Sequence, residues 1–364
     1  MSRDARTGPG RDRGAPAKAS GSARRSAAAS RAGASGSAPA SPRRGAAGRS
    51  GAPAGNGPED GLVVGDIPVV ARVSGALLVL SALVGIAALF PTYLVIGGQE
   101  LSTVGGFGSL PAALLVPVAS LAVGIVLVRG VVPKFGLAYA GVVGALAVGQ
   151  LLIELYRGSS STTRPGVEVI AGERVLTSGV EVGAGWVLGV AALALAVLAG
   201  GFAVAAWGRT VMEDGGSLDP VRSGLAGAAV LLGVATVLCL ALPAADVPDQ
   251  LVTDPATGLE TVVTREGPQA LLERPGMALL GGLLLAGAVV LCSVVAPSLR
   301  PRLAAVGGLL AITVAVLAAG LAGLRDAVAS ADLAWTVPGA GLLLTGLGYA
   351  LLTVLAWRVR RSGA

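Results

Sequence analysis

Eight stretches of the chain stay apolar for about twenty residues at a time: 73–93, 110–128, 135–156, 184–207, 224–244, 276–297, 303–323 and 337–357. The runs are continuous, without the alternation of a β-barrel strand. A helix needs roughly 20 residues to cross the hydrocarbon of a bilayer. Backbone groups in lipid must find their partners within their own segment. The pattern therefore predicts an all-α membrane protein with eight transmembrane helices.

Three of the polar connections carry a second pattern. Tyr93-Leu-Val-Ile-Gly-Gly-Gln-Glu-Leu-Ser-Thr-Val is a β-prone run, a glycine turn and a second run. Gln250-Leu-Val-Thr-Asp-Pro-Ala-Thr-Gly-Leu-Glu-Thr-Val-Val repeats that layout, and Val167 to Glu181 repeats it again around Ala171-Gly172. These read as small β-hairpins in outer loops. Isolated hairpins are marginal, so they are expected to pack together as a cap.

The first 61 residues contain no Val, Ile, Leu, Phe, Tyr or Trp. Such a segment cannot bury enough apolar surface to offset its chain entropy, and it reads as disordered. It holds eleven Lys/Arg against Asp4 and Asp12 up to Pro58. A tail of this kind enforces topology by staying in the cytoplasm. It also attracts anionic lipid headgroups, with Arg24, Arg25, Arg43, Arg44 and Arg49 as the lipid-facing candidates. Nucleic acid is a poor partner, because no aromatic residue interleaves the arginines.

Composition sharpens the picture: 53% of the residues are apolar and only 13% charged. Twenty-five arginines against two lysines, with 56 glycines, point to a high-GC, actinobacterial genome. With the amino terminus in the cytoplasm, 21 basic residues fall on the inner side and six on the outer. The positive-inside rule thus predicts a multi-pass plasma-membrane protein with both termini cytoplasmic. Removing any one span would break the alternation.

The eight spans divide into two fours. Trp186 and Trp207 flank the fourth span, and Trp335 and Trp357 flank the eighth. Both spacings correspond to roughly 32 Å of helix, one bilayer core, so all four tryptophans read as interfacial anchors. Arg72-Val-Ser-Gly opens the first span and Pro91 closes it; Arg222-Ser-Gly opens the fifth and Pro243 closes it. The organisation that follows is a basic tail (1–68), a first four-helix repeat (69–209), a cytoplasmic linker (210–222), a second, parallel repeat (223–358) and a short cytoplasmic end (359–364). Each half has four spans, a β-like loop after the first, an arginine turn after the second and a tryptophan heading the fourth. In this it resembles small actinobacterial membrane proteins, and the layout is similar to that of the tryptophan-associated transmembrane proteins, here duplicated. The aromatic pair after the first span is Phe90-Pro-Thr-Tyr93, without tryptophan. The resemblance implies topology and brings no catalytic residues.

Little in the chain carries chemistry. There is no histidine, which removes every His-based triad, metal site and pH switch. Cys239 and Cys292 lie in apolar runs at different depths, too far apart in depth to bridge. Gly183-Ala-Gly185-Trp-Val-Leu-Gly189 departs from a dinucleotide loop and reads as a helix-packing pair, Gly185/Gly189. No span has an ionisable group near its centre. The nearest is Glu154, with Gln150 one turn below and Arg157 three residues above, an i, i+3 ion pair and the one candidate polar site. No cofactor is implied. The leading expectation is a non-catalytic envelope protein that uses its outer cap and basic tail to meet lipids or protein partners. The competing one is a transporter or flippase for an apolar or lipid-like solute. A polar cavity reaching the midplane separates the two.

Overall fold

Nineteen or more apolar residues in hydrocarbon leave the backbone no partner but itself, and the helices follow. The computed structural model describes residues 63–96, 99–104, 109–159, 168–170, 173–175, 180–213, 218, 220–246, 250–253, 260–263, 270–271, 276–329 and 334–359. The tail arginines Arg24, Arg25, Arg43, Arg44 and Arg49 lie outside the described residues. In chain order the elements are β1 (Val63–Val64), α1 (Val69–Ala87), β2 (Thr92–Ile96), β3 (Gln99–Ser102), α2 (Leu110–Arg129), α3 (Pro133–Ser159), β4 (Glu168–Ile170) and β5 (Glu173–Val175). Then come β6 (Val180–Val182), α4 (Ala184–Trp207), β7 (Met212–Glu213), α5 (Arg222–Leu240), β8 (Ala245–Asp246), β9 (Gln250–Thr253) and β10 (Glu260–Val263). The last are α6 (Met277–Val295), α7 (Arg302–Ala329), β11 (Ala334–Trp335) and α8 (Val337–Arg358).

Among the described residues, eight helices are long and apolar enough to cross a membrane. Their outward faces carry exposed Val204, Leu231 and Leu344, which suit hydrocarbon and not water. This is a polytopic membrane protein. The boundaries differ from the sequence reading in two places. The first span ends at Ala87 rather than at residue 93, because Pro91 disfavours helical backbone in the residue before it. The seventh runs on to Ala329, six residues further than the apolar run, and carries Arg325 with it.

α1 packs on α2 and α4, and α3 packs on α4 and, more lightly, on α2. The second group repeats this pairing: α5 packs on α6 and α8, and α7 on α8 and, more lightly, on α6. Between the groups, α3 meets α6 and α7, while α2 meets α7 along a shorter contact. α3 and α7 are therefore central. Their apolar windows are 61% and 72% buried, against 22–39% for the six other helices.

Three close helix approaches are made where both backbones lack a side chain. A Cβ on Gly144 would lie 2.7 Å from the Gly200 Cα, so α3 and α4 touch backbone to backbone. Gly75 and Gly124 do the same for α1 and α2, and Gly149 and Gly281 for α3 and α6. Hydroxyls add to the α1–α4 seam: Ser74 donates to the Ala199 carbonyl at 2.8 Å and Ser81 to the Ala192 carbonyl at 2.7 Å.

The strands form small sheets. β2 pairs with β3, β4 with β5 and β9 with β10, all antiparallel, where the sequence placed its hairpins. The three hairpins belong to separate sheets. The addition is β6, which joins β2 and makes the order β3-β2-β6. β8 and β11 also pair, Ala245 opposite Trp335. At the arginine-rich end Val63 and Val64, β-branched residues within the stretch read as tail, pair with Glu213 and Met212.

Replacing Gly144 with Val forces two backbones apart and is expected to destabilise the protein by about 1–3 kcal/mol, the cost of overpacking. Gly189→Ala, where an added Cβ meets nothing within 4 Å, is expected to be neutral or stabilising by up to ~1 kcal/mol through helix propensity. Thermal unfolding in detergent followed by circular dichroism checks the pair; equal melting temperatures for both variants would contradict the backbone contact.

Candidate functional site

The strand-bearing end of the first four-helix group is held by one cluster. β2 pairs with β6, Leu94 opposite Val182, directly before α4 begins at Ala184. The Gly183 N–H donates to the Tyr93 carbonyl at 3.0 Å, which fixes Tyr93 beside the start of α4. The Tyr93 hydroxyl donates to the Glu154 carboxylate on α3. Trp186 Nε1, one turn into α4, donates to the Glu154 carbonyl at 3.0 Å. Its ring lies over Gly158, where a Cβ would collide with it. Arg157 Nη1 lies 3.6 Å from the other Glu154 oxygen. The Glu154 side chain is 15% exposed and that of Arg157 45%, so the carboxylate is held inside and the guanidinium reaches out.

This cluster sits at the mouth of a cavity of about 620 Å³. The walls come from α1, α2, α3, α4 and α7. Fifteen residues of α3 separate Glu154 at the mouth from Tyr139 at the floor, roughly 22 Å of helix, out of a hydrocarbon core of about 30 Å. The cavity's lining residues thus extend along more than half the length of α3, down to the fully buried Tyr139. Around it the helices are tied at Gly75/Gly124 and Gly144/Gly200, and α1 and α4 meet again at the strand-bearing end, where a Cβ on Gly185 would lie 3.1 Å from the Ala88 carbonyl oxygen. Pro117, on the α2 wall, also removes the N–H that would bond the Ala113 carbonyl. On α4, Gly189 leaves part of the space unfilled, since an added Cβ there would meet nothing within 4 Å.

Polar groups are sorted by depth. At the floor the Ser120 and Tyr139 hydroxyls pair with one another at 3.3 Å, and the Ser81 hydroxyl is spent on α4, so the deep walls present little unsatisfied polarity. Near the mouth, Gln150 faces the cavity and makes no hydrogen bond among the described residues. Arg325 arrives from α7: its Nη1 donates to the Thr103 carbonyl at 3.4 Å, and its Nε and Nη2 donate to Asp326 at 2.8 and 2.7 Å.

The second four-helix group is filled at its middle. Tyr349 donates to the Ala229 carbonyl at 3.0 Å and its hydroxyl lies 2.6 Å from that of Ser293, which ties α5, α6 and α8.

The sequence reading placed Gln150, Glu154 and Arg157 together, and all three line the cavity. It did not bring in Tyr93, 61 residues from Glu154, or Arg325 from the other half. The expected packing pair Gly185/Gly189 divides: Gly185 packs on the Ala88 and Pro91 carbonyls, whereas nothing lies within 4 Å of a Cβ on Gly189. The tryptophans divide. Trp186 clamps α3 to α4 at the mouth, and Trp207 lies under the Lys134 ammonium, 5.7 Å from the ring centroid. Trp335 and Trp357 are largely exposed, and the Trp357 carbonyl accepts from Arg302. Cys239 and Cys292 are both free. No cluster of three metal-ligating side chains occurs among the described residues.

No family profile, curated protein or solved structure matches the chain. What the site can do is argued from its geometry.

Burial, followed by the Glu154 charge and hydrogen bond, raises the Tyr93 phenol far above the usual value of 10; Arg157 only partly offsets this. The phenol therefore stays protonated and donating throughout the range in which a free tyrosine ionises. Unfolded tyrosine loses its proton near pH 10, so the stabilisation from this phenol is complete below that and falls as the pH rises further. In an ultraviolet titration, Tyr93→Phe is expected to leave the absorbance change between pH 9 and about 11 as in the wild type. Loss of one phenol's worth of signal in that interval would show Tyr93 to be an ordinary exposed tyrosine.

Proposed function

We propose that this is a multi-pass plasma-membrane protein of the transporter or flippase class, which takes a weakly polar, lipid-like solute into the cavity of its first four-helix group. The observation that carries the reading is the extent of that cavity, whose lining runs along α3 from Glu154 to the buried Tyr139 among walls that are mostly Gly, Ala, Val and Leu. A partner-binding scaffold has no use for such a space. The size falls within the roughly 300–1,000 Å³ range of small-molecule sites. With no ionisable side chain at its floor, the cavity favours a solute that needs no charge compensation in mid-bilayer.

The other features take their places around this. The β3-β2-β6 sheet frames the mouth, as an outer cap would. The arginine count puts that mouth outside and both termini in the cytoplasm, where the basic tail meets anionic headgroups. The common helix-pairing order of α1–α4 and α5–α8 supports descent from a duplicated four-helix unit in parallel orientation. In that view one copy has kept or gained the cavity and the other is closed by Tyr349. No catalysis is assigned; the charged side chains lining the mouth are one carboxylate and two guanidiniums.

The test is transbilayer movement in proteoliposomes, read by dithionite quenching of a fluorescent single-chain lipid analogue. The wild type is expected to accelerate movement over empty vesicles. Gly189→Leu, placed where a side chain finds free space, is expected to reduce that rate about tenfold or more, a barrier change of ~1.4 kcal/mol. Movement no faster than in empty vesicles, or equally fast in the filled variant, overturns the reading.

A further inference from the structure

Resting on that reading, the geometry points to a narrower ligand: we propose that the cavity takes a single-chain amphiphile with an anionic, acceptor-rich head, the head at Arg157 and Gln150 and the chain running down toward Tyr139.

The chain follows from the floor. Every polar group there has a partner in the protein, Ser81 on the Ala192 carbonyl and Ser120 on Tyr139. A hydroxylated or charged group pushed to that depth would find no free donor or acceptor to replace water. Methylene groups lose nothing there and gain dispersion contacts with the small-residue walls. The length of about 22 Å and the ring of five helices around it suit one extended chain.

The head follows from the mouth. The ionisable residues lining the cavity are Glu154, Arg157 and Arg325, a net charge of +1. The one carboxylate is already engaged, one oxygen taken by the Tyr93 hydroxyl and the other facing Arg157. Arg325 is occupied by Asp326 and the Thr103 carbonyl. Arg157 is only partly so: its contact to Glu154 is a single long one, it also reaches the Tyr93 hydroxyl, and 45% of its side chain is exposed. Gln150, two turns deeper on the same face of α3, has an amide with no partner among the described residues. Positive charge is therefore in surplus where the cavity opens, beside an amide that can donate or accept. A carboxylate or phosphate meets that surplus, with a carbonyl or second oxygen of the same molecule reaching Gln150. A neutral alcohol meets it less well, and an amine adds a third positive charge.

The α2–α7 seam is lighter than the α3–α6 and α3–α7 contacts between the two groups. Where α3 and α6 touch through Gly149 and Gly281, α2 and α7 make a shorter contact, and at the strand-bearing end the Arg325 bond to Thr103 spans the seam.

The experiment uses the full-length chain in nanodiscs of zwitterionic lipid, with three diazirine-bearing probes that share one chain: a fatty acid, the fatty alcohol and the fatty amine. Adducts are mapped by mass spectrometry. The acid is expected to label the α1 and α4 walls, and Gly189→Leu to abolish that labelling. Arg157→Gln is expected to weaken the acid by about tenfold or more while sparing the alcohol, with Arg157→Lys restoring most of it. Competition by unlabelled oleate and by a lysophospholipid then distinguishes a carboxylate head from a phosphate one. If alcohol and amine label the walls as strongly as the acid, and Arg157→Gln changes nothing, the anionic head is wrong and the lipid-like cavity stands. If no probe labels the walls and Gly189→Leu makes no difference, the cavity reading itself fails.

Discussion

In hydrocarbon an apolar side chain gains nothing by leaving the solvent, so helices hold together only where their backbones come close or their polar groups find each other. The rest of this structure depends on that constraint. Gly75/Gly124, Gly144/Gly200 and Gly149/Gly281 bring three pairs of helices to backbone contact, and Ser74 and Ser81 stitch α1 to α4. α1 and α2 make their glycine contact near the arginine-rich end. Toward the strand-bearing end Gly185 again packs close, on the Ala88 carbonyl, while one turn further along α4 an added Cβ on Gly189 would meet nothing within 4 Å. Small residues thus do opposite things at neighbouring positions: at one they allow contact, and at the other they leave a void.

The void is graded in polarity. At its floor hydroxyls and carbonyls consume one another, and at its mouth a carboxylate is pinned by Tyr93 beside an amide and a guanidinium that reaches outward. That gradient is built from two parts of the chain distant in sequence. The β2–β6 ladder sets Tyr93 against α3, and Trp186, four residues past that ladder, fastens α4 to the Glu154 carbonyl. The small sheet is thus a device for holding the polar end of a cavity, and its strands matter less as a surface than as a brace. Arg325 shows the same economy: one extra turn or so of α7 beyond the apolar run lets a residue of the second group reach the wall of the first.

Much of this was legible in the sequence. Continuous apolar runs yield the eight helices, and glycine-centred β-prone segments yield the three hairpins, because both patterns arise from local chemistry. The i, i+3 spacing of Glu154 and Arg157 survives as an ion pair for the same reason. What escaped is non-local. Nothing near Tyr93 announces Glu154, and β6 carries no mark of pairing with β2. Gly189 illustrates the harder limit. A small residue on an apolar helix serves close packing or an empty wall equally well, and only what stands opposite decides. The spacing of Gly185, Gly189, Ala192 and Ala196 was visible; the open wall at Gly189 was not. Trp186 was read by its depth alone, and its hydrogen bond gives it a second task.

The central claim is that a cavity reached from the strand-bearing end runs inside the first four-helix group. Cysteine accessibility tests it most directly, in a chain with Cys239 and Cys292 replaced by Ala and a single new thiol on α4. Gly189→Cys faces the cavity, whereas Gly201→Cys, on an exposed position outside it, faces lipid. A charged, water-borne methanethiosulfonate reagent added to that side is predicted to modify the first and leave the second untouched. Equal protection of both thiols would mean that no water-filled path exists, and the account would be contradicted.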